Sequence, residues 1–391
     1  MIHGKSIFSQ CMDLINREKF DKNARRRLAD KGSKGFSSWD LLVSMMYLQL
    51  AQAKSLREIE YGLKGCVGKL RHLGMDDAPK RSTLSYANAH RPWQLFQDVF
   101  YQMLELCQQE TMPKKRKFRF SNKLYSFDAT SIEMGLKTFE WAKYRRAKGA
   151  VKIHLLLDHD GYLPVYARLT DGKTHEVKMA HELTLPPGSI VAMDRGYVDF
   201  TLFEKWTAAG IHFVIRLKAN TVYTVVRENP LPERKEHVLE DKIIRLRDNN
   251  EYRMVTVYDE VNEMYMELIT NIEKLAAATI GDIYRDRWQI EVFFRYLKQN
   301  LKIKTFVGTS PNAVLIQVWT ALTAMLMLSY LRFKSSFGWS LSNLVAMFRW
   351  NVFAYKDIWA WLDNPFESPP LDDDDWQPML PGFTFGQQVF R

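Results

Sequence analysis

Three carboxylates in this chain stand where a carboxylate is costly. Asp128 interrupts an aromatic and β-branched run, Leu124-Tyr-Ser-Phe-Asp-Ala-Thr-Ser-Ile132, and strand alternation puts Ser126 and Thr130 on its face. Asp194 closes the short apolar run that begins at Ser189 and is followed by Arg195-Gly196-Tyr197, where Gly196 suits a tight exit from a strand. Glu291 lies in a helical stretch. An acidic group in or at the end of an apolar strand must be paired or bound to a cation. Two such strands and one helical glutamate that converge would supply the oxygen donors a hard divalent cation takes.

The helical stretch carries more than Glu291. At about 100° per residue with Tyr284 as origin, Arg287, Glu291 and Lys298 fall at roughly 300°, 340° and 320°, an arc of about 60°. One carboxylate, two cations and a phenol on one face could bind a metal through Glu291 while Arg287 and Lys298 grip phosphates. Taken alone, Arg287 and Glu291 would equally suit an ordinary i,i+4 salt bridge.

The elements that must position these groups follow from the periodicity. Leu124–Ile132, Val151–Leu157, Tyr162–Leu169, Ser189–Asp194 and His212–Leu217 read as strands, the second and third joined by the turn Asp158-His-Asp-Gly161. Helices are expected over His175–Leu183 and Phe200–Ala209, which with the strands gives a mixed sheet flanked by helices, an α/β fold. Residues 218–276 break the rhythm with four β-like runs and read as a separate β-rich insertion. Ile280–Leu301 reads as one long helix, Asn312–Phe333 as a buried core helix rather than a membrane span, and Leu341–Trp361 as a further helix.

Charge divides the chain. The net charge is +10, and the first 120 residues, with 22 Lys and Arg against 12 Asp and Glu, hold all of it. Confined basicity points to a polyanion-binding module attached to a neutral one. That third reads as helical, with Ser37 and Ser55 as N-caps. The run Lys80-Arg81-Ser82-Thr83-Leu84-Ser85-Tyr86 leads into a hydroxyl-capped helix of the kind presented to a major groove, which makes Arg81, Ser82 and Thr83 candidates for DNA contact. Lys114, Lys115 and Arg116 lie in a basic linker able to follow a phosphate backbone. Cys11, Cys66 and Cys107 form no CxxC pair and read as reduced, buried thiols of a cytosolic protein. The first twenty residues lack the apolar run of a signal peptide. His154, His159, His175 and His212 show no ligand spacing and read as structural, with His175 also placed as a neighbour of any bound metal. No glycine-rich phosphate loop is present, which argues against ATP dependence.

Tyr284-x2-Arg287-x3-Glu291-x6-Lys298 resembles the YREK signature of IS4 family transposases. Asp128 in YSFDATSI and Asp194 in AMDRGY resemble that family's first and second acidic motifs. The resemblance runs from about residue 120 to 335. It implies an RNase H-like catalytic core with a triad of Asp128, Asp194 and Glu291, and a mostly β insertion in the 97 residues between the last two. It further implies Mg²⁺ as cofactor, with Mn²⁺ able to substitute, and double-stranded DNA as partner, both element ends and target. Arg287 and Lys298 would hold phosphates and Tyr284 the backbone, in cut-and-paste transposition with a hairpin at the element end. A homodimer would join two ends in a synaptic complex, in the cytoplasm of a bacterium and associated with its nucleoid, with no membrane involved. Relatives stack an extruded base on a tryptophan of the insertion, and residues 218–276 hold none. Trp288 matches a second stacking tryptophan, and Tyr223, Tyr252, Tyr258 or Tyr265 are alternatives.

The expected organisation is therefore a helical DNA-binding domain at 1–120, a catalytic core at 121–217 and 277–335 around the 218–276 insertion, and a C-terminal helix and acidic tail at 336–391. Two other readings remain open at this point: a stand-alone RNase H-like DNA nuclease and a catalytically silent DNA-binding protein.

Overall fold

The computed structural model describes residues 4–66, 68–110, 117–134, 149–231, 237–260 and 263–367. Lys114, Lys115, Arg116 and the acidic run at 372–375 lie outside them. Six helices come first: α1 (Ile7–Met12), α2 (Arg17–Arg26), α3 (Ser38–Leu50), α4 (Leu56–Lys64), α5 (Arg81–His90) and α6 (Gln94–Glu110). Their starts follow local chemistry. Ser37 and Asp40 form a reciprocal capping box on α3, and the Ser55 hydroxyl accepts from Glu58 N on α4. The α5 start differs from expectation. Its N-cap is Lys80, which has no side-chain hydroxyl to offer, and the Arg81 N–H is taken instead by Glu60 of α4 at 2.8 Å.

The sheet follows: β1 (Leu124–Met134), β2 (Gly149–Asp158), β3 (Leu163–Asp171), α7 (Glu176–His181), β4 (Ile190–Met193), α8 (Phe200–Ala208) and β5 (His212–Arg216). Strand order is β3-β2-β1-β4-β5, with β1, β4 and β5 parallel and β2 antiparallel to β1, the RNase H-like arrangement. Residues 218–276 do hold four strands, β6 (Thr224–Glu228), β7 (Val238–Arg245), β8 (Glu251–Asp259) and β9 (Met264–Thr270). They are not separate from the core. β9 pairs antiparallel with β5, so the sheet runs on unbroken to nine strands, because β5 would otherwise leave an open edge.

The C-terminal part comprises α9 (Ala277–Asp286), α10 (Trp288–Asn300), α11 (Pro311–Lys334), α12 (Leu341–Asn351) and α13 (Ile358–Asp363). The expected helix 280–301 is thus two helices that meet at Arg287. The Arg287 N–H is shared between the carbonyls of Ile283 and Tyr284, and Ile290 N bonds Arg287 O in a tightened turn. The expected helix 341–361 is likewise two, with Asp357 capping α13.

β4 is buried on both faces, as a central parallel strand should be. Val191 and Met193 pack with α7 and α8, while Ile190 and Ala192 pack with α9. α11 is long and apolar enough to cross a membrane, yet 89% of its apolar window is buried inside the fold. It packs against α3, α5 and α6, so the N-terminal helices share one core with it instead of forming an attached module. Each large side chain fully buried there, such as Trp319 or Leu322, contributes roughly 1.5–3 kcal/mol.

Candidate active site

The register of β1 against β4 brings two carboxylates level. Leu124 pairs with Ile190 and Ser126 with Ala192, so Asp128 and Asp194 each lie two residues past the last pair on neighbouring parallel strands. Asp194 leaves the strand and caps the turn Arg195–Tyr197, its Oδ1 accepting from Gly196 N at 2.7 Å. A Cβ at Gly196 would meet that oxygen at 3.0 Å, so the close approach favours glycine. Glu291 enters from the first turn of α10.

Arg287, at the α9–α10 junction, draws the third group in. Its Nη2 donates to Glu291 Oε1 at 2.5 Å and its Nη1 lies 3.4 Å from Asp128 Oδ2. The guanidinium also stands 5.5 Å from the centroid of the Tyr284 ring. Asp128 feels all of these groups. Burial above all pushes its carboxyl up to about 7; Arg287 and the Ala129 N–H pull it down, and the charges on Asp194 and Glu291 push it further up. Tyr197 is fully buried beside the same acids, and its hydroxyl has no hydrogen-bond partner among the described residues.

Tyr284, Arg287 and Glu291 are therefore brought together, whereas Lys298 is not part of that cluster. Two helical turns further on, it lies near Lys304 and Glu133, and burial followed by the Lys304 charge lowers its pKa. Trp288 is 53% exposed. Tyr252 cannot receive a base: it is buried against Phe203 and Phe213, and its hydroxyl donates to Asp248 at 2.7 Å. Tyr265, packed on Tyr258, is 66% exposed. Arg81 and Ser82 are exposed on α5 and Thr83 is half-buried. His175 ends the loop before α7, and His154 is buried against Thr170, its pKa lowered by that burial to about 4.

A second polar cluster next to the carboxylates left little trace in the sequence. Ser126 Oγ lies 2.7 Å from His159 Nε2, and His159 Nδ1 lies 2.6 Å from Asp286 Oδ2. Lys117 and Tyr162 also donate to Asp286, at 2.6 and 3.2 Å. Burial would raise the Asp286 carboxyl, but the bonds from His159 and Lys117 hold it at about 2. An ionised Asp286 only accepts, so His159 carries its proton on Nδ1. The cluster ties β1, two residues before Asp128, to the residue that precedes Arg287. Ser126 is fully buried, so the arrangement clamps elements and offers no nucleophile. The readable signal was Ser126 on the Asp128 face; the partners are 33 and 160 residues away.

The donor set is of the oxygen type that a hard divalent cation takes: two carboxylates level on neighbouring parallel strands, and a third on α10 tied to one of them through Arg287. Among the described residues no three His, Cys, Asp or Glu side chains stand within joint reach of one ion. The Arg287 guanidinium instead supplies positive charge between Asp128 and Glu291.

An RNase H-like sheet with one acid within β1 and another just past the end of β4 sets the class of fold, and comparison with known proteins narrows it. A family model described as a transposase DDE domain matches residues 120–327, and one described as a domain of unknown function matches residues 3–76. This chain belongs to the DDE transposases, in the IS4 family of insertion-sequence transposases. Similar proteins include the transposase for insertion sequence element IS5377 of Geobacillus stearothermophilus, 28% identical over 64% of this chain and 67% of that one. Transposase InsG for insertion sequence element IS4 of Escherichia coli is 24% identical over 47% of this chain and 44% of that one. The solved piggyBac transposase synaptic complex with hairpin DNA aligns with 97% of this chain and 85% of that one, at 10% identity and a TM-score of 0.43.

Proposed function

We propose that Asp128, Asp194 and Glu291 form the catalytic triad of this insertion-sequence transposase and that they hold Mg²⁺, or Mn²⁺ in its place, to cut and rejoin DNA. The observation that carries this reading is geometric: Asp128 and Asp194 stand level on neighbouring parallel strands, and Arg287 bridges Asp128 to Glu291. When bound, divalent metal would activate the attacking oxygen and stabilise the leaving one in an in-line displacement at phosphorus. Arg287 has a second task. It neutralises Asp128 and Glu291 in the free protein and is placed to turn its donors to a DNA phosphate. The Tyr284 ring beneath it restricts where the guanidinium can go. Gly196 N fixes one oxygen of Asp194 and leaves the other to act as donor. The buried Ser126–His159–Asp286 cluster holds β1 and the α9–α10 junction at fixed separation, which sets the distance between Asp128 and Glu291.

DNA is the substrate in this reading, both element ends and target, joined by a homodimer in a bacterial cytoplasm. The exposed Trp288 is the residue best placed to stack an extruded base, since it directly follows Arg287. The test uses end-labelled duplexes from both flanks of the gene, incubated with the protein in Mg²⁺ beside Asp194→Ala. Discrete cleavage at an inverted repeat, absent in the variant, supports the reading. Unspecific degradation that still needs Asp194 would make the protein a nuclease, and specific binding without cleavage a silent DNA-binding protein.

A further inference from the structure

On the N-terminal half of the molecule an open groove of about 850 Å³ runs between the start of α4, the outer face of α5 and the segment that follows α10, lined among others by Lys54, Arg57, Arg81, Ser85, Tyr86 and Phe306. Its charge is unusual. None of its lining cations Lys54, Arg57 and Arg81 forms an ion pair among the described residues, nor do Lys302 and Lys304 on the segment that leads to the lining Phe306 or Arg349 of α12, whereas Arg27, Lys64 and Arg91 all do. The carboxylates closest to these cations are already engaged. Glu58 accepts from the Lys54 N–H at 2.9 Å, and Glu60 serves both Lys64 and the Arg81 N–H. After burial, the charges on Lys54 and Arg349 push the Lys302 ammonium down, with Glu58 opposing them. The cations therefore crowd one another. α5 itself carries no acidic residue and turns Arg81, Ser82, Ser85 and Tyr86 outward in an i, i+1, i+4, i+5 stripe. The Tyr86 ring is 68% exposed and stacked on His90 at 4.1 Å.

The groove's two walls belong to distant parts of the chain, yet they are locked together. Gln49 and Gln317 are fully buried and grip the segment after α10 from α3 and α11. Gln49 Oε1 accepts from Lys302 N at 2.7 Å, and Gln317 Nε2 donates to the Lys302 and Thr305 carbonyls at 2.6 and 2.9 Å. Gln52 donates to Asn300 O at 2.6 Å. Glu291 lies roughly 14 Å away along α10 from that segment, at 1.5 Å per residue. The N-terminal helices and the helix that carries Glu291 are thus tied together through this segment.

We propose that this groove seats the phosphate backbone of one DNA duplex, so that α5 and the Lys302–Lys304 segment contact the same duplex within the same subunit. A polar helix face with cations on both flanks is the arrangement in which a helix enters a groove and the flanks hold the two backbones. The proposal rests on the protein's being a DNA transposase and goes beyond it, since none of Lys54, Arg57, Lys302 or Lys304 belongs to the carboxylate centre.

The experiment is fluorescence anisotropy of the full chain on a labelled element-end duplex between 50 and 300 mM salt, with hydroxyl-radical footprinting of the same complex. Lys54→Glu/Lys302→Glu is compared with wild type, with Asp194→Ala, and with Arg247→Glu in the exposed β7–β8 turn, at the opposite end of the sheet from the carboxylates, as a surface control. The groove variant is expected to bind about tenfold or more weakly, with the slope of log K against log salt reduced by about 2, near 0.9 per phosphate contact. Lys54→Glu and Lys302→Glu singly are expected to lose protection at phosphates within about one helical turn of each other. A far-UV spectrum and melting curve matching wild type exclude misfolding as the cause, and Lys54→Gln/Lys302→Gln serves if the charge reversal does not fold. Wild-type binding and slope in the groove variant would overturn the proposal while leaving the transposase reading intact. Protection lost at unrelated positions would overturn the shared duplex. Absence of DNA binding by wild type and by Asp194→Ala would remove both.

Discussion

The carboxylate centre and the α4–α5 groove are both strongly charged, and they treat charge in opposite ways. At the centre each charge is answered from within the chain: Arg287 reaches Glu291 and Asp128, Gly196 N reaches Asp194, and Asp286 close by accepts from His159, Lys117 and Tyr162. In the groove no cation is in an ion pair among the described residues. The difference separates two jobs. Groups that must be exact to a fraction of an ångström are buried and held by partners, which also makes them part of the fold's stability. Groups that must attract a long polyanion from solution gain from being left exposed. Substitutions at the first region should therefore disturb both chemistry and stability, and at the second binding alone.

The largest effect is expected at Asp194. Its replacement by alanine should lower single-turnover cleavage of an element end by about three orders of magnitude, equivalent to roughly 4 kcal/mol of lost charge stabilisation. Affinity for the same DNA should change by less than about threefold. A variant that cleaves at a tenth of the wild-type rate would remove Asp194 from the triad.

Arg287→Met comes next, read as stability. It leaves two acids facing each other with no cation, and breaking a buried ion pair typically costs 3–5 kcal/mol. Arg287 and Asp128 are only 11% and 17% exposed, while Glu291 at 33% is partly screened, so about 3 kcal/mol is expected in urea unfolding without metal. An unchanged midpoint would mean that Arg287 is not structural and would leave it only the proposed role toward DNA.

Asp128 sharpens the same point through pH. Its folded-state pKa, about 7, lies above the ordinary unfolded value near 3.9. Between those values the native state keeps a proton that the unfolded chain gives up, so this group's contribution to stability falls as pH rises from about 4 and levels off above 7. Asp128→Asn should therefore stabilise the metal-free protein by roughly 3 kcal/mol more at pH 8 than at pH 4.5. A benefit of equal size at both values would show that burial does not hold the proton.

Much of this was open to reading from the sequence, for reasons tied to particular residues. Asp128 and Asp194 stood out because an acid among apolar β-formers is costly, and the strands of the core stood out as short apolar runs with turn chemistry between them. The break at Arg287 left no mark, since Tyr284 to Leu297 keeps helical periodicity on both sides of it. The continuation of the sheet through β6–β9 was hidden as well, because pairing of β9 with β5 is a long-range choice that no local pattern records. Lys298 shares the wheel angle of Glu291 but lies two turns further along α10, and a wheel records nothing of distance along the axis. The Ser126–His159–Asp286 cluster needed the fold before its members could meet.

That cluster gives a smaller effect. A double-mutant cycle of His159→Gln and Asp286→Asn should show a coupling of about 1.5 kcal/mol, the size of a hydrogen bond to a buried charged acceptor. Additive losses would mean that the 2.6 Å contact does not bind the two elements.

The smallest effect is the one that most directly opposes the two regions. Lys302→Met removes a cation as surely as Arg287→Met does, but from a place where its neighbours repel it. Burial and then Lys54 and Arg349 all disfavour the charged ammonium, and the backbone of Lys302 is held by Gln49 and Gln317 whatever the side chain. Stability should therefore change by less than about 0.5 kcal/mol, as for a surface site without partners, and any change should be towards greater stability at low salt, where repulsion is least screened. DNA affinity of the same variant should fall severalfold. Should Lys302→Met instead cost stability comparable to Arg287→Met, the cation would be answered within the fold after all, and the contrast between a self-neutralised centre and an open groove would fail at its simplest point.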